Sequence, residues 1–397
     1  MKEGWTYKKL GEVANVTDYV ANGSFATLRE NVHYLDKAGF AILVRLADYT
    51  NNFDSTRFVY IDEHAYNFLS KSKLYGGEII MSNVGSIGKS FICPILSMPM
   101  SLAPNSIVIN TPNNKFYFYF FNSPSFQNSL KTISSKTALP KFNKTQFKTL
   151  IAPIPPLAEQ ERIVAELDLL SSIIEKKKAQ LKELDQLAQS IFYDMFGDPI
   201  TNEKGWEVKK LGESVHEMFL GPFGSSLKVD SYVAKEESYC MVYEQKHAIQ
   251  GTISLDNHYI NKDKYESLKR FEVKPNDFIM SCRGTIGRLF QLPHNAPLGI
   301  IHPSLMKIRI KDEVYNAAYF QFMLVKIVAN ENTNGNCVQM AITAKQLSKK
   351  ELTIPPLPLQ QEFADKVEAI ERQKTLIQQS IVETQTLFDS RMYYWFD

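Results

Sequence analysis

The chain has 397 residues, 44% of them hydrophobic, and its 45 basic and 43 acidic residues leave a formal net charge of +2. This length allows two domains with cores of their own, and the ordinary apolar content argues against a disordered or membrane-spanning protein. No apolar run reaches the roughly 18 residues that a membrane span needs, and the N-terminal residues lack the apolar core of a signal peptide. We therefore expect a cytoplasmic protein that contacts no membrane.

The cysteines and histidines show no metal-binding pattern. Cys93, Cys240, Cys282 and Cys337 are scattered without a CxxC pair, and the seven histidines include no HExxH spacing. This usage is typical of reduced thiols and makes a disulfide or zinc framework an unlikely basis for the fold. We expect no metal or cofactor on this chain.

Three widely spaced motifs occur twice. GWTYKKLGE (4–12) recurs as GWEVKKLGE (205–213), and IPPLAEQERIV (154–164) recurs as IPPLPLQQEFA (354–364). Between them, MSNVGSIGKS (81–90) recurs as MSCRGTIGRL (280–289). A period near half the chain length predicts two copies of one unit rather than a short-period solenoid.

The block before each Ile-Pro-Pro motif is predicted to be a mixed α+β domain, over residues 1–153 and 200–353. Short β-prone runs bounded by Asn, Gly and Pro occur at 41–46, 78–82, 105–110, 277–281 and 305–310. Helical patches follow at 114–131 and 313–330. Within the first patch, the aromatic run 116–121 is expected to be core rather than a base-stacking surface.

The stretch MSNVGSIGKS is close to a phosphate-binding loop. It ends in Gly88-Lys89-Ser90, as that loop requires, but Asn83 replaces the first glycine. The second copy has Leu289 in place of the Mg²⁺-binding hydroxyl. Because only the Gly-x-Ile-Gly part is shared, we interpret it as a tight turn after a strand.

Two long helices are predicted, within residues 154–199 and 354–397. Their apolar residues recur at alternating steps of three and four, the heptad spacing of a coiled coil. The predicted seam residues are Ile163, Leu167, Leu170, Ile174, Leu181, Leu184 and Ile191 in the first helix and Phe363, Val367, Ile370, Ile377, Ile381 and Phe388 in the second. An exposed apolar stripe is unfavourable, so we predict an antiparallel coiled coil with pseudo-two-fold symmetry. The alternative is that each helix packs only on its own domain.

Positive charge is segregated in two equivalent stretches. No acidic residue occurs between Glu78 and Glu159, or between Phe278 and Lys311, although both stretches contain several Lys and Arg residues. Such segregation indicates a polyanionic partner, whereas a merely solvated surface intersperses both signs. The candidate residues for contact with this polyanion are Arg45, Lys89, Lys136, Lys141, Lys144, Lys228, Arg283, Arg288 and Lys345.

Among these candidates, Arg283 lies between a predicted strand and the glycine turn. If the polyanion is DNA, an arginine there could read guanine through two hydrogen bonds; the alternatives are an ordinary exposed arginine and a phosphate contact. Phosphate positioning is the preferred role for Lys141 and Lys144.

The sequence lacks the usual parts of an enzyme. We find no nucleophile elbow and no G-x-G-x-x-G after a strand. The Pro-Pro pairs follow Ile154 and Ile354, not the Asn or Asp of an adenine methyltransferase signature. The pattern favours a binding protein.

In their order and spacing, these motifs resemble the specificity subunit (HsdS) of type I restriction–modification systems. The resemblance rests on Gly-Trp-x-x-Lys-Lys-Leu-Gly-Glu at the start of each block, GPFGSSLK (221–228), and Ile-Pro-Pro-Leu-x-x-Gln before each helix. It covers essentially the whole chain. The first copy departs from it with NGSFATLR (22–29).

The resemblance implies a non-catalytic subunit with two target-recognition domains and two spacer helices. Each domain would read one half of a bipartite double-stranded DNA target, and the helices would set the gap; the two unlike blocks predict unlike half-sites. Two methyltransferase subunits would hold S-adenosylmethionine, and restriction subunits would use ATP and Mg²⁺ to translocate and cleave. The alternatives are a specificity subunit serving a fused restriction–methylation enzyme and a coiled-coil scaffold that does not bind DNA.

Overall fold

The structure, a computed structural model, describes residues 2–135, 137–334 and 341–397, leaving out the side chains of 331–334. The chain divides into two compact units. Unit 1 contains Met1–Lys178 and Gln379–Asp397, and unit 2 contains Ala179–Gln378. The strands of blocks 1–153 and 200–353 therefore fall in different units, and each unit also takes half of each long helix.

The strands of unit 1 are short. They are β1 (Thr6–Lys9), β2 (Asn15–Asp18), β3 (Ala41–Val44), β4 (Tyr60–Ile61), β5 (Lys73–Leu74), β6 (Ile79–Ser82), β7 (Ser90–Ile92), β8 (Met100–Leu102), β9 (Ser106–Asn110) and β10 (Ile151–Ile154). Its helices are α1 (Leu10–Val13), α2 (Phe25–Asn31), α3 (Leu46–Thr50), α4 (Glu63–Phe68), α5 (Asn114–Asn122), α6 (Pro124–Ile133) and α7 (Lys144–Lys148). They lead into the 40-residue helix α8 (Leu157–Phe196).

The strands of unit 2 follow the same order along the chain. They are β11 (Glu207–Lys210), β12 (Val215–Leu220), β13 (Cys240–Tyr243), β14 (His258–Ile260), β15 (Glu272–Val273), β16 (Phe278–Ser281), β17 (Leu289–Gln291), β18 (Gly299–Ile301), β19 (Leu305–Ile310) and β20 (Glu351–Ile354). Its helices are α9 (Leu211–Ser214), α10 (Gln245–Gln250), α11 (Lys262–Leu268), α12 (Ala317–Asn334) and α13 (Ala344–Leu347). The 40-residue helix α14 (Leu357–Phe396) follows.

Each unit contains the same sheets. An antiparallel sheet has the order β2-β9-β6-β7 in unit 1 and β12-β19-β16-β17 in unit 2. A mixed sheet has the order β4-β3-β8-β5 or β14-β13-β18-β15, with its central pair parallel. The repeated sequence thus specifies a repeated topology, which confirms the predicted α+β class.

The opening and closing motifs of each block meet in a two-stranded sheet. Strand β1 pairs antiparallel with β10, and β11 pairs with β20 in the same way. The glutamine of each Ile-Pro-Pro-Leu-x-x-Gln motif is buried, and its side-chain amide donates to the carbonyl of the first proline, at 2.9 Å from Gln160 and 2.7 Å from Gln360. This bond fixes the bend between the closing strand and the long helix, which explains why the motif occurs twice.

The ends of the long helices belong to the cores of the units. In unit 1, Ile163 and Leu167 join one apolar cluster with Trp395 and with strand residues such as Ile79. In unit 2, Phe363 and Val367 join the equivalent cluster with Phe192 and Phe196. The aromatic run of α5 also lies in the core, as expected, with its first and last rings fully buried.

Within each unit the two helices run antiparallel. In unit 1, Arg391 donates to Glu166 at 3.1 Å through Nη2, and the Trp395 indole donates to the same carboxylate at 3.1 Å. In unit 2, the ring centroids of Phe192 and Phe363 lie 5.5 Å apart. The hydrogen bond from Arg391 lowers the pKa of Glu166, which keeps this carboxyl charged.

The predicted seam residues all lie on buried or half-buried positions. Buried ones are Ile163, Leu167, Leu170, Ile174, Phe363, Val367 and Ile370, and half-buried ones are Leu181, Leu184, Ile191, Ile377, Ile381 and Phe388. The long apolar stripe is therefore covered, in accordance with the predicted coiled coil rather than with helices packed on their own domains alone.

Two lysines interrupt the seam and find polar partners on the facing helix. Lys177 donates to Thr384 at 3.1 Å and also bonds Ser380. Lys374 pairs with Asp185 at 2.8 Å. A polar residue on a coiled-coil seam favours the one register that satisfies it, at some expense of stability.

A buried ion cluster distinguishes unit 2. The buried Asp277 carboxylate accepts from Arg309 at 2.6 and 2.7 Å, and Lys307 pairs with Glu217 at 2.6 Å. The equivalent positions on β9 of unit 1 are Val108 and Asn110. The cluster therefore uses basic residues from the acid-free stretch 278–311 as structural partners.

The described helices include none that is both long and apolar enough to cross a membrane. Over the same residues, no group of three or more His, Cys, Asp or Glu side chains could hold a metal ion. Cys93, Cys240 and Cys282 are free and buried, while Cys337 lies outside the described residues. Burial raises the pKa of the Cys282 thiol to about 12.

Replacing Phe363 tests the shared helix core. Its fully buried ring packs against Phe192, Phe196 and Phe322, so Phe363→Ala should lower the free energy of unfolding by about 3–5 kcal/mol. Chemical denaturation measures this change. The control Leu376→Ala, 66% exposed on the same helix, should cost less than about 0.5 kcal/mol. Equal effects of the two variants would contradict the packing described.

Removing Asp277 tests the ion cluster. Asp277→Ala removes the carboxylate that binds Arg309 through two hydrogen bonds and leaves Glu217 as the remaining partner of Arg309 and the buried Lys307, so stability should fall by about 1–3 kcal/mol. Hydrogen exchange should show the loss in β16 and β19 of unit 2 and leave β6 and β9 of unit 1 protected. Uniform deprotection of both units would argue against a local cluster.

Candidate nucleic-acid interface

The Gly-x-Ile-Gly motif forms the same turn in both units. Its second glycine donates to the strand's last serine at 2.9 Å, from Gly88 to Ser82 and from Gly287 to Ser281. Gly88 and Gly287 have φ of +80° and +83°, a conformation that glycine adopts without strain. A Cβ on Gly88 would lie 2.5 Å from the end of the Gln127 side chain, so a larger residue would have to displace that side chain.

This turn is not a phosphate-binding loop. The Gly85 amide donates to Pro140 and the Ile87 amide to Gly85, so these amides are used within the protein. A strand, β7, follows the turn, where a phosphate-binding loop would open a helix. The structure agrees with the interpretation drawn from the two unequal copies.

Other loops converge beside the turn. Asn83 donates from its backbone to Asn105 and accepts from Phe142, both at 3.1 Å. In unit 2, Cys282 donates to Ser304 at 2.9 Å and accepts from Ile342 at 3.0 Å. We call this surface the turn face. In unit 1 it comprises 19–25, 83–89, 103–105 and 141–146, and in unit 2 it comprises 221–228, 283–288, 302–304 and 341–345.

Each turn face contains an isolated β-bridge with one basic residue, but that residue lies on opposite sides of the bridge in the two units. Val84 bridges Lys141 in unit 1, and Arg283 bridges Ala341 in unit 2. Both basic side chains are exposed. A basic residue is therefore retained at the bridge in both units, but its chemistry differs. Lysine is a point charge, whereas arginine presents a planar fork of donors.

A second pair of basic residues is directly equivalent. Lys89 and Arg288 end the two turns, and the carbonyl of each accepts from the strand's last serine at 2.9 Å. Both side chains are exposed, as are those of Lys228 and Lys345 in unit 2. In the part of the chain that the structure describes, none of these four residues, nor Lys141 or Arg283, has a carboxylate within ion-pair distance. Their charge is available to a ligand.

Two further candidates are held by carboxylates. Lys144 pairs with Asp18 at 2.9 Å. Arg45 pairs with the buried Asp48 at 2.6 Å and donates to the Arg57 carbonyl at 2.7 Å, and the hydrogen bond with Asp48 raises the pKa of Arg45. Part of the charge of Lys144 and of Arg45 is therefore neutralised within the protein. Lys136 lies outside the described residues.

Unit 2 adds polar groups that the sequence analysis missed. Gln245 donates through its side chain to the Arg283 carbonyl at 2.7 Å, and His302 bonds the Ser304 hydroxyl at 2.9 Å. Burial lowers the pKa of His302, and the nearby Arg283 charge adds to this effect, while Glu244 opposes it. The unit 1 counterpart of His302-Pro303-Ser304 is Ala103-Pro104-Asn105, so alignment of the two copies around this proline would have identified it.

The sequence matches the family described as the type I restriction modification DNA specificity domain twice, at residues 2–186 and 203–385. It is 22% identical over 391 residues to the type I restriction enzyme MjaIX specificity subunit of Methanocaldococcus jannaschii, covering 92% of this chain and 86% of that protein. It is also 22% identical over 406 residues to the EcoKI specificity subunit of Escherichia coli K12, covering 93% and 82%.

Solved structures show the same fold. A chain from a study of complex assembly and conformational transition of the type I R-M system aligns with a TM-score of 0.60 at 18% identity, covering 100% of this chain and 98% of that one. The S subunit of the type I system of M. genitalium aligns with a TM-score of 0.50 at 13% identity, covering 98% and 95%. With both family matches spanning most of its length, this chain belongs to the type I restriction–modification specificity subunits, as its repeated motifs predicted.

Proposed function

We propose that this chain selects a bipartite double-stranded DNA target, with the turn face of each unit contacting one half-site. The observation that carries the proposal is the equivalent bridge occupied by Lys141 in unit 1 and Arg283 in unit 2. An exposed basic residue at the equivalent bridge of both units supports a common ligand. The two units differ in the identity of this residue, in the side of the bridge on which it lies and in its neighbours. These differences support unlike half-sites, and hence an asymmetric target.

The two basic residues suit different contacts with DNA. The guanidinium of Arg283 can donate twice to the O6 and N7 atoms of guanine, which reads a base. Its backbone is held by Gln245, so the side chain starts from a fixed position. The ammonium of Lys141 carries no such directional pattern and suits a phosphate, which sets the position of the protein along the duplex.

The long helices would set the gap between the half-sites. Each is anchored in unit cores at its ends, and Lys177 and Lys374 favour one register of the pair. A rigid spacer converts two reading surfaces into a fixed half-site separation, as dimer spacing does in other DNA-binding proteins.

Catalysis would reside on other subunits. The relatives are named as specificity subunits of restriction enzymes, which supports a non-catalytic role. We propose that two methyltransferase subunits carrying S-adenosylmethionine, and restriction subunits using ATP and Mg²⁺, act at the site that this chain selects. A specificity subunit that serves a fused restriction–methylation enzyme would use the same turn faces.

Arg283→Ala tests base readout. Mapping methylated adenines in the host genome gives the target, and fluorescence anisotropy with the methyltransferase complex then gives affinities for target and singly altered duplexes. The variant should bind the target about 1–3 kcal/mol more weakly and lose selectivity at one base pair of one half-site. Arg372→Ala, an exposed helix arginine paired with Glu368, is the matched control and should leave affinity and selectivity unchanged. An equal loss on all duplexes would make Arg283 a phosphate contact.

Lys141→Ala tests phosphate positioning in the other unit. Affinity should fall by a similar factor on every duplex, and the slope of log affinity against log salt should decrease by about 1. Lys144→Ala should have a smaller effect, because Asp18 already neutralises part of that charge. A loss confined to one base pair would instead assign base readout to Lys141.

A further inference from the structure

Two phenylalanines protrude from the segments that follow the edge strands of the antiparallel sheets. The side chains of Phe25 and Phe223 are 79% and 86% exposed. Phe25 begins helix α2 after β2, whereas Phe223 lies in the loop after β12, and a buried leucine, Leu28 or Leu227, follows each. Single exposed apolar residues are common on protein surfaces. Recurrence of an exposed phenylalanine in the segment after the edge strand of both units indicates a shared role.

The loops hold these rings on an ordered backbone. In unit 1, the side chain of Asn22 donates to Ser72 at 2.9 Å, and the Ser24 hydroxyl accepts from the Thr27 amide at 3.2 Å. In unit 2, the Gly221 amide donates to the Leu305 carbonyl at 2.8 Å, and Pro222 is buried. The rings are therefore presented from braced positions, so little backbone freedom remains to be lost on binding.

The surroundings of Phe25 are those of a ligand site. It lines a cavity of about 530 Å³ together with Asn83, Lys141 and Gln146. The Asn83 Oδ1 atom in this cavity is buried and, among the described residues, has no hydrogen-bond partner. An exposed ring, an exposed lysine and a residue with a buried, unpaired acceptor thus line one concave surface.

The loop of Phe223 packs on another segment of the turn face. A Cβ on Gly221 would collide with the His302 carbonyl, so the loop backbone packs directly against the His302-Pro303 segment. That segment continues to Ser304, whose carbonyl binds the Cys282 amide next to Arg283. The backbone that carries Phe223 is therefore linked through this segment to the backbone beside the proposed guanine reader.

We propose that Phe25 and Phe223 are wedges that insert between neighbouring base pairs, one in each half-site; this inference rests on the proposed DNA target. Apolar side chains inserted at a base step unstack it and kink the duplex, and the cost is offset by contacts that the bend allows. Burial of the ring between bases also removes a large apolar surface from water. Lys141, which lines the same cavity as Phe25, contacts a flanking phosphate.

The test uses the methyltransferase complex and duplexes in which 2-aminopurine replaces each purine of the target in turn. The wild-type complex should raise 2-aminopurine fluorescence at one step of each half-site, apart from any signal at the methylated adenines. Phe25→Ala should remove the signal in one half-site only, and Phe223→Ala the signal in the other. Each variant should bind about 5- to 150-fold more weakly, the range expected for loss of one base–aromatic stack.

Conservative and control variants separate insertion from other contacts. Phe25→Trp should retain the fluorescence signal, because a large aromatic ring can still enter the step. Ile95→Ala, 84% exposed beyond the far end of β7, should change neither signal nor affinity. Unchanged thermal unfolding of all four variants would show that the protein remains folded.

Two results would overturn the inference while leaving the proposed function intact. One is a wild-type complex that discriminates its target without a 2-aminopurine signal outside the methylated adenines. The other is a loss of wild-type affinity on a duplex with uracil in place of thymine that equals the loss caused by Phe25→Ala. That result would assign the ring to a thymine methyl group in the groove. A complex that fails to discriminate any target would instead refute the proposed function itself.

Discussion

The structure depends on the burial of helix side chains in the cores of the units. Ile163 and Leu167 in unit 1, and Phe363 and Val367 in unit 2, pack with strand and helix residues of the same cluster. A fully buried Leu or Phe side chain contributes roughly 1.5–3 kcal/mol relative to an exposed one. In each unit the helix ends and the antiparallel sheet thus share one apolar cluster, while the mixed sheet contributes to separate clusters. The turn that joins two strands of the antiparallel sheet therefore has a fixed position relative to the helix end. A loose tether between a reading domain and its spacer would not specify a gap.

The two units show how one fold can present two different turn faces. The sheets, the opening and closing strands and the glycine turn are the same, because these elements set the backbone. The differences lie in side chains that the turn face presents, such as Val84 against Arg283 and Ala103 against His302. The buried ion cluster of unit 2 shows that even the supporting sheet differs in how it is stabilised. Recognition can therefore change without a change of topology.

Much of the fold could be predicted because its signals are local. The long helices begin at Leu157 and Leu357 directly after Pro-Pro pairs, and their heptad spacing extends over many residues. The Gly-x-Ile-Gly turns were identifiable because the two copies of this motif differ around the turn, which showed that only the glycine pattern is shared. Pairing of β3 with β8 was not predictable, because the parallel partners are distant in sequence and their short apolar runs fit several registers.

The candidate site was less predictable, for a physical reason. A stretch without acidic residues in the sequence can still be neutralised by acids from elsewhere, and Asp18 approaches Lys144 only through the fold. Likewise, Lys307 and Arg309 are partners of Asp277 and Glu217 rather than free charge. The sequence did not reveal the equivalence of Lys141 and Arg283, because the two basic residues lie on opposite sides of the bridge. Exposure of Phe25 and Phe223 also requires coordinates, since a phenylalanine in sequence predicts burial more often than exposure.

The division of the chain into units has a consequence for biosynthesis. Unit 2 is a continuous segment, Ala179–Gln378, whereas unit 1 is completed only by Gln379–Asp397. The buried Met392 and Trp395 belong to the core that contains Trp5 and Leu10. Residues 1–178 therefore leave the ribosome first, yet their core is completed only when the final helical turns have been made. The part of the protein that is synthesised earliest completes its core last, and until then exposed apolar surface makes it prone to aggregation.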